Sequence, residues 1–331
     1  MLYLFKFSFI IIRFGLRLVF VRKKAKQQAI AYLQRMKETL GGKFDDATFK
    51  KVVKSHSVFL PIVNDAFTLL HGRTTNAMEQ ERSINYFICS SVFDNFFDEK
   101  LLPVDQIESI TFRPEQFFPS TFDEKAFLQA HLFLLSGMKD KKDYLIVLRN
   151  EFVAQAASIK QFNKTISNKE IEEITFEKGG NAVLMCRYYL DTEPTKEEEE
   201  CWYQLGTMIQ LSNDLFDIYK DVQQNIQTLA TRCTDVYEIE KTFLQQVNGL
   251  RKNIAALPYS NNRKLAFSIS MASTYALGLV AINQLKKLQG RSATLPMFKT
   301  LPRMALIVDM EKPSNIWRWI KFVYQYGKLL R

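Results

Sequence analysis

The chain has 331 residues with only 12 Gly and 9 Pro, and its long stretches rich in Leu, Ala, Lys, Glu and Gln favour helix almost throughout, with no linker to divide them. With 47% hydrophobic residues and 27 Phe there is material for a large core, or for a core and an apolar pocket. The net charge of +10 points to an anionic partner, while four Cys without a CxxC pair and three scattered His argue against a zinc site or a disulfide framework and leave reduced thiols.

The expected fold is all-α, a single-domain antiparallel helical bundle. At its N-terminus, MLYLFKFSFIIIRFGLRLVFVRKK is too interrupted by Lys6, Arg13 and Arg17 for a membrane span, and no small-residue cleavage site follows. At 100° per residue these cations share one narrow stripe of a helix otherwise made of Phe, Ile, Leu and Val. Two readings stand: a helix lying in a membrane interface, or the first helix of the bundle. Residues 1–29 are therefore set apart from a domain over 30–331. Further along, Pro103, Pro114 and Pro119 make 101–122 a connection and put Asp94 to Glu99 at the end of the helix before it. Ser167 to Glu170 and Thr195 to Glu198 have the capping-box form, so helices begin near 168 and 196. The acidic run 197–200 suits a first helical turn. The C-terminal NIWRWIKFVYQYGKLLR repeats the basic and aromatic character of the N-terminus.

Two acid-bearing segments carry the candidate chemistry. In SSVFDNFFDE over 90–99, Asp94 and Asp98 are four residues apart on one helix face, beside Glu99 and close to a helix C-terminus where negative charge is disfavoured. In QLSNDLFDIYKD over 210–221, Asn213, Asp217 and Asp221 step by four, with Asp214 at the edge of the same stripe. Lys220 neutralises only one of these acids. Divalent cations would relieve the rest, and hard oxygen ligands suit Mg²⁺ bridging to a phosphorylated substrate.

These residues carry a resemblance. DNFFDE over 94–99 resembles the aspartate-rich DDxxD(D/E) motif of class I terpenoid synthases, and NDLFDIYKD over 213–221 resembles the NDxxSxxKE motif of bacterial terpene cyclases, with Asp in place of Ser and of Glu. The resemblance extends over 30–320. It implies a helical bundle around a central active-site cavity and three Mg²⁺ ions. Asp94, Asp98, Glu99, Asn213, Asp214, Asp217 and Asp221 would be metal ligands, and a prenyl diphosphate would be ionised to a carbocation inside an aromatic pocket. It also implies a break in a cavity helix, for which Lys178-Gly179-Gly180 is the candidate. Ser167 stands where such cyclases carry a diphosphate-sensing Arg, and Lys178 and Arg187 are the nearer cations, with Arg73 and Arg82 in reserve. Pocket walls are expected from Phe87, Ser90, Ser91 and Phe93 on one side and Gly206, Ile209 and Gln210 on the other. The small residues among them suggest a substrate of fifteen carbons or longer.

The leading expectation is thus a cytoplasmic, Mg²⁺-dependent terpene synthase that touches anionic membrane peripherally and binds no nucleic acid, with a homodimer left open. Two alternatives accompany it: a condensing prenyltransferase of the squalene or phytoene type, and a catalytically degenerate chain that binds isoprenoids or membranes.

Overall fold

In the computed structural model, which describes residues 2–330, every regular element is helical and no strand occurs among the described residues. The elements gather into two compact units. The first runs to Ile146 and takes in Met185–Thr192; the second holds Val147–Leu184 and the chain from Glu193 onward.

In the first unit α1 (Leu2–Leu40) is followed by α2 (Asp46–Phe59), started by the side chain of Asp45, which accepts from the backbone N–H groups of Ala47 and Thr48. A π-helical turn at Leu60–Asn64, with Pro61 near its start, leads into α3 (Asp65–Leu70). α4 (Ala77–Asp98), α5 (Val104–Phe112) and α6 (Phe122–Ser136) complete it. α4 is its organising helix, packed against both α2 and α6. All seven residues from Ser83 to Cys89 are buried, so this helix has no solvent face over two turns and its polar groups need partners. Asn85 accepts from Tyr32 Oη at 3.0 Å, and His56 Nδ1 shares a hydrogen bond with Ser83 Oγ at 3.2 Å. The connection expected over 101–122 contains α5. Pro103 starts that short helix, because a residue ahead of the first turn has no N–H to contribute to the ladder.

α7 (Lys141–Ala157) carries the chain from the first unit into the second, and α8 (Asn168–Met185) follows. α9 (Lys196–Phe216), α10 (Ile218–Gln224), α11 (Val236–Ala256), α12 (Asn261–Gln289), α13 (Arg303–Leu306) and α14 (Pro313–Tyr326) make up the rest. The starts of α8 and α9 fall where the capping boxes place them: Ser167 and Glu170 satisfy each other's backbone N–H, and Thr195 Oγ1 accepts from Glu198 N. α12 packs against α9, α11 and α14. It is long and apolar enough to cross a membrane, yet 78% of its most apolar window is buried among its neighbours, as in the core helix of a globular unit. None of the four cysteines is disulfide-bonded.

One buried carboxylate ties separate segments of the first unit together. Glu79, with no solvent exposure, accepts from Asn76 N at 2.8 Å, from Asp191 N at 2.6 Å, and from Arg73 at 2.6 and 2.7 Å. It caps α4, fixes the connection before it and holds the Met185–Thr192 segment. Glu79→Ala would remove the Arg73 ion pair and leave the N–H groups of Asn76 and Asp191 without their acceptor, and a loss of about 1–3 kcal/mol in denaturant unfolding is expected.

Candidate functional site

The first acidic segment ends α4, as its sequence suggests, but its polar groups have protein partners. Lys51 Nζ of α2 donates to Asp94 Oδ2 at 2.8 Å, and Asn95 Nδ2 donates to Thr48 Oγ1 at 2.8 Å. Asp98 and Glu99 are exposed where α4 gives way to Lys100 with φ +54°. Behind them, Phe87 lies against the rings of Phe59, Tyr86 and His56, and Phe93 against Phe97 and Phe127. Ser91 is buried and Ser90 half-buried beside them. Arg187, also in this unit, sits over the Tyr188 ring at 4.3 Å and 3.7 Å from Asp140.

The second acidic segment, in the other unit, does not form one continuous stripe. α9 stops at Phe216, Asp217 takes φ −94° and ψ 5°, and α10 starts at Ile218. Asn213 and Asp217 are exposed, with Lys220 3.9 Å from Asp217. Asp214 and Asp221 are buried at 6% and 7% exposure. Gln210 Nε2 donates to Asp214 Oδ1 at 2.9 Å, while Asp214 Oδ2 is buried with no hydrogen-bond partner. Burial pushes the Asp214 carboxyl up to about 7; the Gln210 bond and the positive charge of Lys178 oppose this, and Asp221 and Asp217 add to it. Burial, then repulsion from Asp217, raises Asp221 to about 6.

The expected magnesium centre is corrected on this geometry. Among the described residues no group of three or more His, Cys, Asp or Glu side chains is placed to hold a metal ion, so three Mg²⁺ ions on Asp94, Asp98, Glu99, Asn213, Asp214, Asp217 and Asp221 are not supported. The physical reasons are local. A lysine neutralises Asp94, and in the second segment two acids, Asp214 and Asp221, are buried while Asp217 at the helix break is exposed.

The break expected at Gly179 and Gly180 is absent as well, since α8 runs through both. The glycines serve close approach. A Cβ at Gly179 would lie 2.6 Å from Gly206 O, one at Gly206 would lie 2.1 Å from Gly179 O, and one at Gly180 would meet the Tyr203 ring at 2.4 Å. Gly206 therefore seats α9 against α8, one turn from Gln210 and near half-buried Ile209.

Sequence reasoning missed a groove in the first unit. α1 spans about 58 Å, yet from Ser8 to Lys24 none of its residues is buried. Phe7, Ala25, Ala29, Leu33 and Met36 share one face and are buried. Roughly opposite, Phe5, Phe9, Ile12, Leu16, Val19 and Phe20 are exposed within a stripe of about 100°, bordered by Lys6, Arg13, Arg17 and Lys24. Part of this stripe forms one wall of a groove of about 700 Å³ whose other side includes Leu60, Asp65 and Thr75. The cation stripe was legible at the N-terminus; no sequence signal pairs it with residues 60–80.

Neither a scan of family models nor a search of curated proteins finds a match to this chain. The likeness to terpenoid synthases rests on its motif residues alone.

Two outcomes are expected. Gly206→Val forces a side chain into the α8 backbone and should lower stability by about 1–3 kcal/mol or more in thermal unfolding. Asp214 keeps its proton in the folded state up to about pH 7 but loses it near 3.8 when unfolded. The folded form therefore holds more protons between those values, and stability should fall as pH rises through that window, at most about 1.4 kcal/mol per pH unit from this group. Denaturant titrations of Asp214→Asn should show a flatter profile.

Proposed function

We propose that this chain is a peripheral protein that lays α1 on an anionic membrane surface. The observation that carries the reading is the exposed face of α1: Phe5 is 82% exposed, Phe20 72% and Phe9 66%. Burying such side chains at a headgroup boundary contributes about 1.5–3 kcal/mol each when complete. Charge supports the same partner. Nine Lys and Arg precede the first acid of α1, Glu38; Arg17 is paired with Asp65, and an unpaired cation held near an anionic bilayer contributes about 1 kcal/mol. A second copy of α1 would set cation against cation, which favours lipid over self-association.

In the second unit α14 adds support. Trp317 is 70% exposed and Ile316 44%. Lys287, at the end of α12, has its ammonium pushed below its usual range by burial, with Arg318 and Lys312 adding like-charge repulsion. Such a cationic cluster favours anionic headgroups, and tryptophan favours the interface. This takes up the third sequence reading, binding without catalysis. Ionisation of a prenyl diphosphate draws on metal ions, and the carboxylates expected to hold them are placed otherwise.

Co-sedimentation with phosphatidylcholine vesicles, with and without phosphatidylglycerol, tests the proposal. Binding should require the anionic lipid, fall as salt rises, and weaken on the order of tenfold in Phe5→Asp. Equal binding to neutral vesicles, or none to anionic ones, would overturn it.

A further inference from the structure

The groove beside α1 has features that a flat membrane contact does not use. Phe9, Ile12, Leu16 and Phe20 form its apolar wall, Leu60 faces them, and at about 700 Å³ it falls in the size range of small-ligand sites. At one end Gln28 lines it, its Nε2 donating to Gln80 Oε1 at 3.2 Å. The acid in the lining, Asp65, is committed: Arg17 Nη2 is 2.7 Å from its Oδ2, and Thr75 donates to Oδ1 through N at 3.1 Å and through Oγ1 at 2.8 Å. Asp65 therefore does not repel an anion.

The donors on the α1 side are less fully engaged. Arg17 Nε is buried in the structure with no hydrogen-bond partner. A buried donor left in this state is destabilising, and an acceptor oxygen would offset that cost. Arg13 and Lys24, also lining the groove, are exposed and add positive charge one and two turns along the helix from Arg17. An apolar trough with cations along one side and a neutralised carboxylate at its base suits a molecule with one hydrocarbon tail and one anionic head.

We infer that the groove between α1 and the Leu60–Gln80 region binds a single-chain anionic amphiphile, its tail along Phe9, Ile12, Leu16 and Phe20 and its head among Arg13, Arg17 and Lys24. The inference rests on the membrane reading for the source of such a ligand, because a lipid-surface helix meets detached single-chain lipids at the bilayer. The two contacts share Phe9, Ile12, Leu16 and Phe20 and differ elsewhere. Phe5 and Val19 belong to the exposed stripe but do not line the groove, whereas Thr74 lines the groove from the connection between α3 and α4.

Isothermal titration of the full chain with dodecyl phosphate below its micelle concentration tests this. Dodecyl maltoside serves as the neutral-headed control and inorganic phosphate as the head alone. One saturable site per chain is expected, at least tenfold tighter for dodecyl phosphate than for either control. Thr74→Trp, an exposed loop position at which a large ring would fill the groove, should weaken it tenfold or more while leaving binding to anionic vesicles intact. Gln28→Trp, at another lining position, is a second variant with the same expectation. Phe5→Asp should do the reverse, weakening vesicle binding about tenfold and keeping dodecyl phosphate. No saturable binding, equal affinity for the maltoside, or affinity untouched by both groove variants would overturn the inference. Dodecyl phosphate binding without vesicle binding would uphold the groove and sink the membrane reading.

Discussion

Apolar helix faces leave water wherever another helix can receive them, and each unit is organised around one helix received on nearly all sides. In the first this is α4, between α2 and α6; in the second it is α12, among α9, α11 and α14. Burial on that scale makes a polar group carried inside costly unless it finds a partner. Glu79 and Asn85 on α4 do so with Arg73 and Tyr32, and Trp319 on α14 donates from Nε1 to Ser273 O on α12 at 2.8 Å. The central helices thereby fix the positions of the segments around them.

α1 is where this organisation stops. Its C-terminal half buries Ala25, Ala29, Leu33 and Met36, a small-to-medium stripe that packs on neighbouring helices. Its N-terminal half carries larger side chains, of which Phe7 is buried while Phe5, Phe9, Ile12, Leu16, Val19 and Phe20 stay in solvent. An apolar surface of this kind on one helix, bordered by cations, marks an interaction face rather than an unfinished core. The groove arises because the π-helical turn at Leu60 and the fully bonded Asp65 bring a second wall alongside that half.

Buried and exposed carboxylates behave differently in this chain, and that difference decides how the acidic motifs are read. Asp94 is neutralised by a neighbouring lysine. Asp214 lies in the interior with one oxygen unpartnered, held mostly neutral by its surroundings below about pH 7. Spacing by fours places acids on a common face only while the helix continues, and at Asp217 it does not. The glycines expected to break α8 instead let its backbone touch that of α9, which needs two residues without a Cβ at one crossing.

Local chemistry was legible from sequence wherever it depends on residues close in the chain. The helical class, the starts at Asn168 and Lys196, the end of α4 near Asp98 and the cation stripe of α1 all follow from capping, proline placement and 3.6-residue periodicity. Tertiary structure decided what depends on distant partners. It placed Lys51 on Asp94, Arg17 on Asp65, Gly206 on Gly179 and the Leu60–Gln80 wall beside α1. Periodicity shows which residues share a face, whereas the partner opposite that face is set by how the chain folds back on itself.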